Sequence, residues 1–183
     1  MKWKHHKKRW IDCDRCSLCE QRNKVVLLKG KIPCDILMVG EAPGISEDTL
    51  GKPFIGPAGK LLEEIIEAAK ESSGVNVSIA FTNVVGCIPK DGTGAKTKEP
   101  PKDAIKECSA RLKEVAKLCR PQFVVCVGKL SGKWSRHTLK DLGYTFEDII
   151  HPAAILRSKV NKELAIQQTE ITLRDLFESV VPF

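Results

Sequence analysis

Three sets of side chains in this sequence have the types and spacing to do chemistry. The first lies in GEAPGISEDTLGKPFIGPAGKLL (Gly40–Leu62), where glycines at 40, 44, 51, 56 and 59 and prolines at 43, 53 and 57 surround Glu41, Glu47, Asp48 and Phe54. The glycines let backbone approach a ligand closely, and the prolines stiffen the connection into a platform. A carboxylate held there can orient water or favour a developing cation. The segment lacks GxGxxG and the Walker lysine, which argues against an ordinary nucleotide site. The second set is HPAAILR (His151–Arg157). A residue before proline is held extended, and an imidazole so placed can donate a hydrogen bond to an oxygen that gains charge.

The third set is the cysteines, eight in all: Cys13, Cys16, Cys19, Cys34, Cys87, Cys108, Cys119 and Cys126. In a reducing compartment so many point to a metal or a cluster rather than disulfides. CDRCSLC (Cys13–Cys19) contains a CxxC, and Cys13, Cys16, Cys87 and Cys108 make a four-thiolate site tying the N-terminus to the sheet edge. Spacing leaves zinc and iron–sulfur both open, since each accepts four thiolates. Cys34, Cys119 and Cys126 read as small buried hydrophobes in strand or helix patterns.

These residues need elements to position them. CDILMVG (Cys34–Gly40), VSIAFTNVV (Val77–Val85) and QFVVCVG (Gln122–Gly128) read as buried strands, with a weaker strand ending at Ile149–Ile150. Gly59–Ser72, Ala104–Leu118 and Lys162–Glu178 carry apolar residues at helical spacing. Alternating strands and helices predict an α/β fold with an open, mainly parallel sheet and helices on both faces. Ligands in such sheets bind beyond the carboxyl ends of the strands, where Gly40–Gly59, Gly86–Lys102 and His151–Arg157 fall. Residues 1–12 predict a mobile basic tail, with Trp3 and Trp10 among lysines, and residues 13–183 a single domain. Lys90–Lys102 reads as a flexible polar loop.

Thirty Lys and Arg against 23 Asp and Glu give a formal charge of +7, which favours a polyanionic partner. No run approaches the roughly 18 apolar residues that span a bilayer, and no apolar run follows the basic N-terminus. The expectation is no membrane partner and a cytoplasmic, nucleoid-associated place.

GEAPG-x-x-ED, GKPF-x-G-x-AG-x-LL, TNVV-x-C and HPAAILR, in that order behind an N-terminal CxxC, resemble the family-four uracil-DNA glycosylases. The resemblance runs from about Cys13 to Arg157. It implies a three-layer α/β/α fold around a central, mainly parallel four-stranded sheet, and a 4Fe–4S cluster on Cys13, Cys16, Cys87 and Cys108. It also implies excision of a flipped uracil, leaving an abasic site. Glu41 and His151 would be catalytic, with Gly40, Ala42, Phe54 and Asn83 against the base. Gly44, Leu156 and Arg157 would meet DNA, Leu156 as a wedge and Arg157 on a phosphate.

Two departures accompany the resemblance. The stretch between Cys87 and Cys108 is longer than the pattern, and Cys19 lies close enough to replace Cys13 or Cys16. Two other readings compete with excision. A relative that traps uracil-DNA covalently carries a histidine in its basic insertion, and Lys90–Lys102 has none. A non-catalytic, metal-stapled nucleic-acid-binding module explains charge and cysteines but leaves Glu41, Phe54, Asn83 and His151 in register by accident. The expected partner is uracil-containing DNA, single- or double-stranded, met by a monomer. No motif argues for a sliding clamp or a polymerase.

Overall fold

A computed structural model describes residues 2–94 and 97–181; Met1, Ala95, Lys96, Pro182 and Phe183 lie outside the described residues. In chain order the elements are α1 (Trp3–Trp10), β1 (Lys29–Gly30), β2 (Ile36–Gly40), α2 (Ile45–Leu50), α3 (Pro57–Ser73), β3 (Ile79–Asn83) and α4 (Lys102–Cys119). There follow β4 (Phe123–Val127), α5 (Lys129–Leu139), β5 (Thr145–Ile149), α6 (Pro152–Arg157) and α7 (Lys162–Glu178). Short 3-10 turns occupy Ser17–Glu20 and Lys140–Leu142.

The sheet order is β1-β3-β2-β4-β5. β2 lies at its centre, pairing in parallel with β3 (Gly40 beside Asn83) and with β4, which in turn pairs in parallel with β5. Every residue of β2 is buried, as a strand covered on both faces requires. The four predicted strands are thus present and parallel. A fifth, two-residue strand joins the edge antiparallel, Lys29 facing Phe81 and Gly30 facing Ala80. Gly30 adopts φ +111, and a Cβ there would stand 2.3 Å from the Ile79 carbonyl oxygen, so only glycine lets this edge close.

Two apolar cores fill the layers. On one face Trp10, Leu112, Val115, Ala116 and Leu139 pack with Val39 and Val124. On the other Leu62, Ile65, Ile66, Leu173 and Phe177 pack with Met38 and Val125. α1, α4 and α5 cover the first face, and α3, α6 and α7 the second. From β2 the chain passes through α3 to β3 on one side, and from β4 through α5 to β5 on the other. The switch point therefore lies between the ends of β2 and β4, where open sheets form a crevice.

The N-terminal expectation is corrected. Residues 3–10 form a helix, not a tail, because His6 and Trp10 are fully buried against α4. Glu114 accepts hydrogen bonds from Trp10 Nε1 at 2.6 Å and faces His6 Nδ1 at 2.9 Å and Arg9 at 2.8 Å. The lysines and Arg9 remain on the outer face. The flexibility expected across Lys90–Lys102 falls partly on residues 95 and 96, outside the described residues. On either side the loop is tied by a bridge between Lys90 and Thr97, and Lys98 N donates to the Pro89 carbonyl at 2.9 Å.

Candidate active site

The carboxyl ends of β2, β3 and β4, with His151 after β5, open into a cavity of ≈ 570 Å³. Its wall includes Glu41, Ala42, Gly44, Glu47, Phe54, Asn83, Gly128, Lys129, His151 and Arg157, and Thr97, Lys98 and Glu99 form part of it. Six residues singled out in the sequence besides Gly44 meet there or immediately behind: Gly40, Glu41, Ala42, Phe54, Asn83 and His151. Arg157 also reaches the cavity, whereas Leu156 points out of it, 40% exposed on α6.

Gly40 ends β2 between two of these side chains. A Cβ built on it would stand 2.4 Å from Asn83 Oδ1 and 2.7 Å from Phe54 Cζ. The aromatic ring and the amide therefore converge over bare backbone, and any side chain at 40 would displace them. Past the end of the sheet, Val84 N donates to the Gly40 carbonyl at 2.8 Å and Val85 N to the Glu41 carbonyl at 3.1 Å, fixing the Glu41 loop to the turn after Asn83.

Phe54 adopts φ +53, a costly conformation for an aromatic residue. Neighbours impose it. Glu47 accepts from Ile55 N at 3.0 Å and Gly56 N at 2.8 Å, and Lys29 Nζ donates to the Phe54 carbonyl at 3.2 Å. α3 presses in through Gly59, where a Cβ would lie 2.2 Å from the Phe54 carbonyl carbon. Asp48, fully buried, anchors the same loop by accepting from Asn23 N at 2.8 Å and Asn23 Nδ2 at 2.7 Å. Sequence reading gave Glu47 and Asp48 no role. Their signal was their place in a Gly/Pro-rich loop, but the backbone amides they hold come from residues no spacing rule pairs with them.

His151 is the N-cap of α6, extended at φ −66, ψ 125, and its Nδ1 accepts from Ala153 N at 3.1 Å. An accepting Nδ1 places the proton of the neutral ring on Nε2. Burial lowers the imidazole's pKa, and the Arg157 charge lowers it further. Gly128 opens the space beside the ring: it adopts φ +92, and its Cβ would meet His151 Cβ at 3.0 Å. Burial raises the Glu41 carboxyl, with Glu99 adding to it. Among the described residues, the Glu41 carboxylate, the Asn83 amide and His151 Nε2 make no hydrogen bond with protein, though all three line one cavity.

The cysteines gather on the α1–α4 face. Cys87 and Cys108 are buried, and Cys13 and Cys16, half-buried, pack against the same core. Burial raises the Cys16 thiol, Cys108 and Cys13 adding to it. Burial pushes Cys87 up to about 12, with Cys108 and Cys16 adding and the charges of Arg22 and Arg111 opposing. Among the described residues no group of three or more His, Cys, Asp or Glu closes around a single metal ion. Cys34, Cys119 and Cys126 are buried in the core, as small hydrophobes are.

An α/β/α sandwich with a polar cavity at its switch point is a widespread design, and comparison narrows it. The uracil DNA glycosylase superfamily model matches residues 29–174, and the chain belongs to that superfamily. It is 38% identical over 125 residues to a type-4 uracil-DNA glycosylase of Sulfurisphaera tokodaii, a match covering 68% of this chain and 53% of that protein. It is 32% identical over 136 residues to a type-4 uracil-DNA glycosylase of Archaeoglobus fulgidus, covering 74% of this chain and 63% of the relative. The chain spans little more than half the length of the curated relatives it matches most strongly. Its fold is similar to the solution structure of a candidate uracil DNA glycosylase from Methanosarcina acetivorans, with a TM-score of 0.50 at 16% identity, covering 82% of this chain and 99% of that one.

Proposed function

We propose that this chain is a monofunctional uracil-DNA glycosylase that hydrolyses the N-glycosidic bond of a flipped deoxyuridine and leaves an abasic site. The observation that carries this reading is the convergence on one cavity of the Phe54 ring with the Glu41 carboxylate, the Asn83 amide and His151, whose Nε2 is left without a protein hydrogen bond among the described residues. Its volume, ≈ 570 Å³, suits a small-molecule-sized ligand such as an extruded nucleotide. The Phe54 ring offers a stacking face. The Asn83 amide can donate to O4 and accept from N3–H of uracil, whereas cytosine presents the opposite pattern.

Breaking the bond leaves negative charge on uracil O2 and positive charge on the sugar. His151 Nε2–H, already aimed by the Nδ1 bond to Ala153, donates to that oxygen from a neutral ring. The Glu41 carboxylate orients water and favours the cationic sugar. Gly44 allows DNA backbone to approach, Arg157 holds a phosphate and exposed Leu156 enters the vacated stack. Lysines at the rim, Lys98 and Lys129, extend the positive surface.

Cys13, Cys16, Cys87 and Cys108 would hold a 4Fe–4S cluster. Arg22 Nη1 and Arg111 Nε are buried donors without a hydrogen-bond partner among the described residues, and both charges reach Cys87. Orphaned cationic donors suit a thiolate-ligated cluster bearing net negative charge. Bound there, it supplies a cross-link between the N-terminal segment, the turn after β3 and α4. Among the described residues no helix is long and apolar enough to cross a membrane. The proposed working form is a monomer on uracil-containing DNA in the cytoplasm, beside the nucleoid.

The test is alkali cutting of a uracil oligonucleotide against a thymine control by wild type, Glu41→Ala and His151→Ala. Uracil-dependent cutting that collapses in both variants is the expected outcome. No cutting by an iron-replete wild type that still binds the DNA overturns the assignment. A covalent adduct on a denaturing gel would point to the trapping relative instead.

A further inference from the structure

The turn from Asn83 to Cys87 joins the two proposed chemistries: its first residue reads the base and its last offers a thiolate. One side chain braces that turn. Arg111 stands one helical turn after Cys108 on α4, so both residues share a face, and it is 1% exposed. Its Nη2 donates to the carbonyls of Asn83 and of Val84, the latter at 3.2 Å, and its Nη1 donates to Thr82 Oγ1 at 3.2 Å. Thr82 can accept because its own proton goes to the Leu27 carbonyl, 2.7 Å away. At the other end of the turn, a Cβ on Gly86 would stand 3.3 Å from Arg111 Nε, so the guanidinium abuts the residue before Cys87.

The environment leaves this cation incomplete. Nε is buried without a hydrogen-bond partner, and no carboxylate among the described residues lies within ion-pair distance of Arg111. A buried, uncompensated charge is costly unless anionic groups surround it. Cys108, one turn earlier on the same face of α4, would be such a group as a ligating thiolate.

We propose that Arg111 is a positioning residue for base recognition: it fixes the Asn83 carbonyl, and so the aim of the Asn83 amide, while the four-thiolate cluster balances its charge. The inference rests on the uracil-excision reading and adds a physical link between cluster and pocket. Arg111→Met removes both donors and charge at similar volume, whereas Arg111→Lys keeps the charge and loses the fork that spans two carbonyls.

The experiment compares single-turnover excision, DNA affinity and the cluster's midpoint potential for wild type and both variants, at matched iron content. Arg111→Met should excise uracil at least ~10-fold more slowly with DNA affinity unchanged, as expected when a recognition group is misplaced. Its midpoint potential should fall, because a positive charge near the cluster has gone. Arg111→Lys should keep the wild-type potential yet lose much of the rate. A purely structural role would lower stability and iron content and leave the matched-iron rate and the potential alone, and that result overturns the proposal. If Arg111→Met does not accumulate folded, a wild-type rate in Arg111→Lys overturns it alone. Absence of excision by iron-replete wild type overturns the underlying reading instead, and shows before any variant is compared.

Discussion

The Nδ1 atom of His151 accepts a hydrogen bond from the backbone N–H of Ala153, 3.1 Å away. One bond thus caps a helix and selects the ring tautomer that carries its proton on Nε2. His151→Ala should lower the single-turnover rate by ~10²-fold or more, the scale for removing an oxyanion donor. The same change should cost about 1 kcal/mol of stability through the lost cap. Rapid-quench kinetics and urea unfolding separate the two effects. A stability loss with an unchanged rate would assign His151 to the cap alone.

Gly40→Ala tests the convergence of Phe54 and Asn83. The added methyl meets Asn83 Oδ1 at 2.4 Å and Phe54 Cζ at 2.7 Å, so both must shift. Excision should fall ~10²-fold, the usual consequence of a misplacement near 1 Å. Binding to uracil-free DNA, set by phosphate contacts, should stay within about twofold. Filter binding and single-turnover rates on the same preparation give both numbers.

Glu41 predicts opposite responses of rate and stability to pH. Burial, then the nearby Glu99 charge, raises its carboxyl, and in the proposed role the form that orients water is the anion. The acid limb of the rate should therefore lie above the ordinary glutamate value of about 4.3. Because the folded-state pKa is raised, protonated Glu41 contributes stability that is complete below the unfolded value. That contribution is lost as pH rises through the folded value. Glu41→Gln, always neutral, should melt of order 2 °C above wild type at pH 7. The advantage should vanish below about pH 4, and the variant's residual rate should lack the acid limb. Calorimetry at both pH values checks the sign.

Leu156 is 40% exposed beside the cavity rather than within it. A wedge matters only where a stacked partner strand must be kept from reclosing. Leu156→Ala should slow excision from duplex roughly tenfold while leaving single-stranded substrate within about twofold. Equal losses on both substrates would argue for packing of α6 instead.

The docked N-terminal helix makes a stability prediction that a tail would not. Trp10 is fully buried and its indole N–H is bonded to Glu114 at 2.6 Å. Trp10→Ala should cost about 3–5 kcal/mol, read by denaturant unfolding, and should loosen the segment that carries Cys13 and Cys16.

Legibility followed the apolar pattern. β2 and β3 stand out as short apolar runs, and α7 is expected at Lys162–Glu178, where Leu173, Leu176 and Phe177 are the apolar side chains that the helix buries. α5 escaped notice because its buried face is made mostly of Ser131, Gly132, Ser135 and Thr138, with Ser131 Oγ donating to the Val39 carbonyl. A helix buried through small polar residues has no hydrophobic stripe to read. α1 is masked for a related reason: Lys4, Lys7, Lys8 and Arg9 surround its two buried aromatic positions, His6 and Trp10.

By itself the sequence determined the alternation of strands and helices, the motifs, and hence the segments after the strands where chemistry would sit. These are local properties: apolar period, proline and glycine placement, cysteine spacing. Only the tertiary structure decided what depends on distant chain segments. It put the Asn83 and Phe54 side chains within a Cβ's reach of Gly40, and set Glu47 to hold the strained Phe54 backbone. It also laid Arg111 beneath the turn from Asn83 to Cys87. Such relationships arise from parallel register and helix packing, in which residues tens of positions apart are held within a few ångströms, and no spacing along the chain encodes them.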